Sequence, residues 1–351
     1  MFNLYTNFQL RALKGVSQKM WDTLFTLFDL YGPIPRLLFE TLLPPKKFRT
    51  EMVSDATAKD EELNCRIREY RDELENKIHD AVQLDPNTVL STEYGVNSSH
   101  TIYTMRPRKM KKYQYVSLHA AFGFATADIG RRIAEATIAI SLKDAQRLYD
   151  FLLGQGATKT SAGWVFEVRM HQIFQRGGLF VATKQGGQET ITIDIHSCGD
   201  FSQVSGVGDL LRERPGSQRI KPDIIGRYFK PQHCNLPSVD SFAVTECAAA
   251  GGEVLVLFQM TVSTEHPVKA EGLASIWAVI PQALRRAPPI LVFVVPADVA
   301  SRFASKKQII SGPANQTSAS RRSTRNHPDF ETWEQYVLPV GEKTLWENTM
   351  K

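Results

Sequence analysis

The spacing of apolar residues in the second half of the chain predicts a sheet with helices packed on it. In "EVLVLFQMTV" (253–262) successive side chains alternate between two faces, which is the period of a strand. "PPILVFVVP" (288–296) is apolar throughout, as expected for a strand that is buried on both faces. Apolar positions at helical spacing occur in "SAGWVFEVRMHQIFQRGG" (161–178) and in "AEGLASIWAVIPQAL" (270–284).

Three further segments have the composition of strands. They are "LFVATKQ" (179–185), "TITIDIHS" (190–197) and "SFAVTE" (241–246), and the polar residues between the last two predict a long loop. Because a helix, strands, a helix and a strand follow one another, we expect an α/β (α+β) fold in which helices flank a mixed sheet. We assign residues 157–351 to this domain.

The first part of the chain predicts a separate helical unit, which we place at 1–98. Apolar residues recur at helical spacing over 3–30, and a charged amphipathic segment follows at 58–84. Residues 99–156 read as a mixed α/β connector, with strand-like segments first and helices from residue 120 onward. Within it, "SLKDAQRLYDFLLG" begins at a capping serine, Ser141.

Composition indicates a soluble globular protein. The chain has 351 residues, 42% of them apolar, and its longest apolar stretches are about half of the ~20 residues that a membrane span requires. The N-terminus lacks the basic start and long apolar run of a secretory signal, so we expect an intracellular protein without membrane attachment, while secretion as an effector stays open. The four cysteines lack the spacing of a zinc or dithiol motif and are expected to be reduced. These are Cys65, Cys198, Cys234 and Cys247.

Charge weakly favours a polyanionic partner. The formal net charge is +5, and "RPRKMKK" (106–112) holds five cations without an acid. The five are Arg106, Arg108, Lys109, Lys111 and Lys112. Such a cluster suits a phosphate backbone or a nuclear-import receptor, and it fits a solvated linker equally well. We therefore expect DNA or another nucleic acid as a partner, with host or nuclear proteins as further candidates, and a nuclear location.

Three features stand out as candidates for chemistry. Glu167 shares the inward stripe of its predicted helix, where a carboxylate must be paired, protonated or bound to a cation. Asp240 opens an apolar strand, either as a turn residue or as a ligand. Gln259 and Thr261 lie on one face near the end of a buried strand, which indicates either a site or a polar row that touches solvent.

An inward Glu on a helix, a strand that opens with Asp, and a strand with polar residues at i and i+2 resemble the restriction-endonuclease, PD-(D/E)xK, core. More narrowly, "YGPIPR", "AGWVFE", "PSVDSF" and "LFQMTVSTEHPV", in this order, resemble the Crinkler and retrotransposon-hot-spot (RHS) family. That family comprises transposon-linked and effector proteins in which a P-loop NTPase module precedes a restriction-endonuclease-like domain. The resemblance spans about residues 20–340.

The chain departs from this family in its NTPase part. No G-x-x-x-x-G-K-[ST] motif occurs, and "YGPIPR" resembles the helical lid in which the family's arginine, here Arg36, faces nucleotide phosphates. We therefore interpret residues 1–98 as the remnant of a lid without its P-loop. No ATPase activity is expected.

The chain also departs from the nuclease pattern. By register Gln259 takes the place of the third acid and Thr261 that of the lysine. The resemblance implies Mg²⁺ held by Glu167, Asp240 and Gln259, with hydrolysis of DNA phosphodiester bonds. Lys269, at the start of the next helix, and His266, which can also simply cap that helix, are the candidates to stabilise the scissile phosphate.

A catalytically inert module that binds nucleic acid or a host partner is the alternative, favoured by the two replaced residues. A structural fragment left by a transposable element is a third possibility.

Overall fold

The computed structural model describes most of the second half of the chain and parts of the first. The described residues are 56–83, 102–107, 120–154, 158–201, 204–214, 217–231, 238–247, 252–305, 307–311 and 330–347. The helix predicted at 3–30, the "YGPIPR" segment with Arg36, and residues 108–112 of the basic cluster lie outside these ranges. The chain divides into two compact units, 1–137 and 138–351.

The first unit contains helix α1 (Ala56–Gln83), strand β1 (Tyr103–Pro107) and strand β2 (Ala120–Phe124), which pairs with β1 in antiparallel orientation. Helix α2 (Ala127–Ile140), whose last three residues belong to the second unit, begins where the Oγ1 atom of Thr126 accepts the Ile129 N–H at 3.1 Å. The prediction of helix from residue 120 onward was therefore wrong for 120–124, whose residues "AAFGF" form a strand.

The second unit is an α/β structure. Its helices are α3 (Leu142–Gly154), α4 (Lys159–Gln175), α5 (Val204–Leu211), α6 (Ala270–Val279), α7 (Ala297–Ala304) and α8 (Glu342–Trp346). Its strands are β3 (Gly178–Lys184), β4 (Thr190–Ile195), β5 (Ser197–Phe201), β6 (Arg227–Pro231), β7 (Ser241–Cys247), β8 (Gly252–Met260), β9 (Val268–Lys269), β10 (Ile290–Pro296), β11 (Ile310–Ser311) and β12 (Gln335–Val340).

Eight of these strands form one mixed sheet in the order β4-β3-β12-β10-β8-β7-β6-β5. Strands β6, β7 and β8 are neighbours in antiparallel orientation, and β10 pairs with β8 in parallel. Helix α6 makes the crossover between β8 and β10, as a parallel pair requires. The α/β class and the mixed sheet predicted from the sequence are confirmed.

The two faces of the sheet bury different helices. On one face Leu257 and Phe293 belong to the same buried cluster as Leu273 and Ile276 of α6. On the other face the ring of Phe174, on α4, lies 4.8 Å from the ring of Phe258. Alternation along β8 therefore gives each helix its own apolar surface.

The prediction of a long loop between "TITIDIHS" and "SFAVTE" was only partly correct. It contains β5, α5 and β6, and it adds two strands to the edge of the sheet. Strand β6 ("RYFKP") has cations and a proline around two rings, so it lacks the long apolar run by which β8 was recognised. Helix α7 and strand β12 were also missed. Among the described helices, none is long and apolar enough to span a membrane.

Candidate functional site

Asp240 and Gln259 are in direct contact where β7 begins and β8 ends. The backbone N–H of Asp240 donates to the carbonyl oxygen of Phe258 at 2.8 Å, which continues the antiparallel pairing of the two strands. The side-chain nitrogen of Gln259, Nε2, donates to Oδ2 of Asp240 at 2.8 Å. The backbone N–H of Met260 donates to the same oxygen at 2.6 Å. One carboxylate oxygen thus receives two donors from the end of the neighbouring strand.

The turn that precedes Asp240 is attached to the start of helix α6. Ser238 has a φ of 80°, a left-handed conformation that is costly for a residue with a side chain. Its hydroxyl donates to the carbonyl oxygen of Lys269 at 2.7 Å and accepts the Lys269 N–H at 3.0 Å. Lys269 is exposed, and these two hydrogen bonds join its backbone to a residue that precedes Asp240 by two positions.

Thr261, which the resemblance expected in the place of a lysine, serves the turn after β8. Its side chain is buried, and its Oγ1 atom accepts the N–H of Ser263 at 3.1 Å. Its own N–H donates to the carbonyl oxygen of Val294 at 3.0 Å. Both polar residues at the end of β8 therefore make hydrogen bonds within the protein, which explains why such an apolar strand tolerates them.

A second polar cluster lies between α4 and the sheet. The Tyr228 hydroxyl lies 2.5 Å from Nδ1 of His171, and Nε2 of the same ring lies 3.7 Å from Oε1 of Glu167. Burial raises the pKa of Tyr228 well above its usual value, the neighbouring Ser241 hydroxyl lowers it, and the charges of Asp240, Glu167 and Asp200 raise it further. The phenol therefore keeps its proton, and its hydroxyl and Nδ1 of His171 form a hydrogen bond between α4 and β6.

Glu167 and Asp240 lie on different elements of the sheet domain. Both carboxylates act on the pKa of the Tyr228 hydroxyl. One helical turn before Glu167, a Cβ at Gly163 would lie 3.9 Å from Val262, just past the end of β8. Helix α4 therefore crosses the sheet close to the residues that Asp240 contacts.

Metal binding by these residues stays a prediction. In the part of the chain that the structure describes, no three His, Cys, Asp or Glu side chains are grouped so that they could hold a metal ion. Gln259 presents a donor to Asp240, whereas Mg²⁺ would require its carbonyl oxygen. In this arrangement Gln259 is a hydrogen-bond donor to Asp240.

His266 lies in the segment between β8 and α6 and contacts a pair of buried glutamines. Its backbone N–H donates to Oε1 of Gln308 at 2.7 Å. Gln308 in turn donates its N–H to Oε1 of Gln335 at 2.8 Å and accepts Nε2 of Gln335 at its carbonyl oxygen at 3.1 Å. Burial lowers the pKa of His266, so its ring is neutral at neutral pH. Sequence reasoning missed this glutamine pair, because neither residue lies in a recognisable motif.

Of the basic cluster, only Arg106 falls within the described residues, on β1 opposite Ala121. Arg108, Lys109, Lys111 and Lys112 lie outside them, so the proposed role of the cluster in nuclear import or phosphate binding stays a prediction.

Compared with family models, curated proteins and solved structures, the chain matches none. The expected relation to the Crinkler and RHS family stays a prediction, and function has to be inferred from the site itself.

Proposed function

We propose that the sheet domain is a restriction-endonuclease-like module that binds nucleic acid and does not hydrolyse it. Three features support the nuclease ancestry. Helix α4 carries Glu167 toward the sheet, β7 is preceded by Asp240, and Gln259 lies at the end of β8 with Thr261 just after it. A nuclease of this kind needs the residues at these two positions close together, and Asp240 and Gln259 are in contact.

The hydrogen bond from Gln259 to Asp240 is the observation that favours binding over hydrolysis. A metal-dependent nuclease needs carboxylate oxygens that are turned toward the cation, and a positive charge beside the attacked phosphate. Here Oδ2 of Asp240 accepts two protein donors. Thr261 supplies no charge, and its hydroxyl is used in the turn. The net charge of +5 supports a polyanionic partner for such a module.

Mg²⁺-dependent hydrolysis of DNA is the second candidate, since the charges of Glu167 and Asp240 both raise the pKa of the Tyr228 hydroxyl. Glu167, Asp240 and Gln259 would hold the ion, and Lys269 and His266 would contact the phosphate. The cation would supply charge stabilisation and an activated water.

Cleavage and metal binding separate the two candidates. The purified chain would be incubated with supercoiled plasmid in Mg²⁺ or Mn²⁺ and titrated with each ion in a calorimeter, beside Asp240→Asn, Glu167→Gln and the matched control Asp194→Asn. Asp194 is exposed on edge strand β4. We expect duplex DNA binding without nicking, and no metal-linked heat that depends on Asp240.

Nicking that is lost in Asp240→Asn and kept in Asp194→Asn would replace our proposal with the hydrolytic one. A chain that neither binds nor nicks DNA would refute both.

A further inference from the structure

Two basic segments that are distant in sequence lie side by side in the sheet domain. Arg212 and Ile220 make an antiparallel bridge, and the N–H of Glu213 donates to the carbonyl oxygen of Arg219 at 3.0 Å, so the described residues 212–214 and 217–221 run side by side as the two arms of a hairpin. At the returning side of this hairpin, the carbonyl oxygen of Gln218 accepts the N–H of Ala283 at 3.2 Å, and its Oε1 accepts the N–H of Gln282 at 3.1 Å. The hairpin is thereby joined to the short turn at 282–286, and we call the two together, with Lys221, the basic platform.

The platform carries six cations and one acid among its described residues. The cations are Arg212, Arg214, Arg219, Lys221, Arg285 and Arg286, and the acid is Glu213. Asp209 and Asp223, on either side of the hairpin, form ion pairs with Arg212 at 3.5 Å and with Arg227 at 3.7 Å. A strong positive excess is therefore concentrated in two short segments.

Two of the six cations hold the platform together. Nη2 of Arg212 donates to the carbonyl oxygen of Val279 at 3.0 Å, and Nη2 of Arg285 donates to that of Ala278 at 3.1 Å. Both contacts satisfy carbonyl groups in the last turn of α6, where a positive charge is favourable. Arg285 also lies over the ring of Trp277, with 5.3 Å between Cζ and the ring centroid. These two side chains are structural.

The other four cations are turned toward solvent to different degrees. Arg214, Arg219 and Arg286 are exposed, and Lys221 is partly so. Backbone hydrogen bonds hold the hairpin and the turn together, so these like charges stay close and repel one another in the free protein. A bound polyanion reduces that repulsion and releases its own counterions.

We propose that Arg214, Arg219, Lys221 and Arg286 bind the phosphate backbone of a nucleic-acid duplex, an inference that rests on the proposed binding function. The described residues of the platform include no exposed aromatic ring, so they offer phosphate contacts and not a stacking surface for unpaired bases. This favours a duplex over a single strand.

The platform lies at the C-terminal end of α6, whereas Ser238, two residues before Asp240, contacts Lys269 at the N-terminal end of that helix. Helix α6 starts beside Lys269 and ends at Val279, and ten residues of helix span about 15 Å. A duplex held by the platform is thus anchored away from Asp240 and Gln259, which is consistent with binding that does not lead to cleavage.

The test is binding of a short fluorescent duplex, followed by anisotropy over a series of salt concentrations. The variant Arg214→Gln/Arg219→Gln/Arg286→Gln is compared with Lys159→Gln/Arg302→Gln/Lys343→Gln, which removes three exposed cations elsewhere in the same unit. We expect the platform variant to bind at least ~10-fold more weakly and the slope of log K against log salt to fall by about 3, near 0.9 for each lost phosphate contact. The control variant should stay within about twofold of wild type.

Thermal unfolding of each variant checks that the fold is kept, and the single variant Arg286→Glu provides a second measurement if the triple variant is unstable. A platform variant that binds like wild type would overturn this inference and leave the proposed function standing. Wild-type protein that fails to bind the duplex, including one that binds anionic vesicles instead, would overturn both.

Discussion

The hydroxyl of Tyr228 lies 2.5 Å from Nδ1 of His171, although 57 positions separate the two residues in the chain. The contact ties helix α4 to strand β6 at a point where burial and three nearby carboxylates keep the phenol protonated. A polar pair of this kind in an apolar interface fixes the position of the helix on the sheet. It does so next to Glu167, whose side chain faces the other nitrogen of the same ring.

Replacing Tyr228 with Phe should destabilise the protein by about 1–2 kcal/mol, because it leaves Nδ1 of the partly buried His171 ring without its hydrogen-bond partner. Urea unfolding of the variant measures this loss. Tyr336→Phe is the matched control, since the Tyr336 hydroxyl donates at 3.0 Å to Glu334, an exposed acceptor that water can satisfy. Equal losses for the two variants would contradict a special role for the Tyr228 contact.

Introducing an acid at residue 259 should destabilise the fold. In Gln259→Glu a second carboxylate would lie at hydrogen-bond distance from Asp240, and one of the two would have to take up a proton. Since each unit by which a pKa is raised costs about 1.4 kcal/mol, we expect a loss of roughly 2 kcal/mol or more at pH 7. Urea unfolding with and without Mg²⁺ would show whether a cation compensates.

The double variant Asp240→Asn/Gln259→Glu is the control for this prediction. It leaves one carboxylate, at position 259, and so removes the repulsion. Because a single oxygen of Asp240 accepts both Nε2 of Gln259 and the N–H of Met260, the new amide at position 240 can keep only one of these two hydrogen bonds. Part of the lost stability should therefore return. If the double variant were as unstable as Gln259→Glu alone, the loss would come from packing and not from repulsion between the two carboxylates.

The main strands and the candidate acids were predictable because their signals are local. Alternation along β8 identified the faces of Leu257 and Phe258, and the polar end of that strand marked Gln259 and Thr261. That Gln259 would donate to Asp240 was not predictable, because the pairing depends on the register between β7 and β8. That the cations of 212–221 would lie beside the turn at 282–286 was not predictable for a similar reason, since the hydrogen bonds of Gln218 join two segments that are far apart in sequence.

Two substitutions of Ser238 separate the cost of its left-handed backbone from the contribution of its side-chain hydrogen bonds. Both Ser238→Ala and Ser238→Gly lose the two hydrogen bonds to Lys269, but only glycine adopts a φ of 80° without cost. We therefore expect the glycine variant to be more stable than the alanine variant by about 1 kcal/mol, as measured by chemical denaturation. The opposite order would mean that the turn relaxes once the serine hydroxyl is gone.

Stability should fall on acidification in a way that depends on His266. Burial lowers the pKa of this imidazole in the folded protein, whereas in the unfolded chain it titrates near 6.5. Below about pH 6.5 the unfolded chain therefore binds a proton that the folded protein does not, and the free energy of unfolding declines until the folded-state pKa is passed. His266→Gln removes this group while keeping the backbone N–H that donates to Gln308, so its stability should decline less than that of wild type between about pH 7 and pH 5.

Thermal unfolding over this range measures the difference between His266→Gln and wild type. The control is His196→Gln, which replaces an exposed histidine. Parallel pH profiles for wild type and His266→Gln would show that His266 is not the residue whose protonation opposes folding.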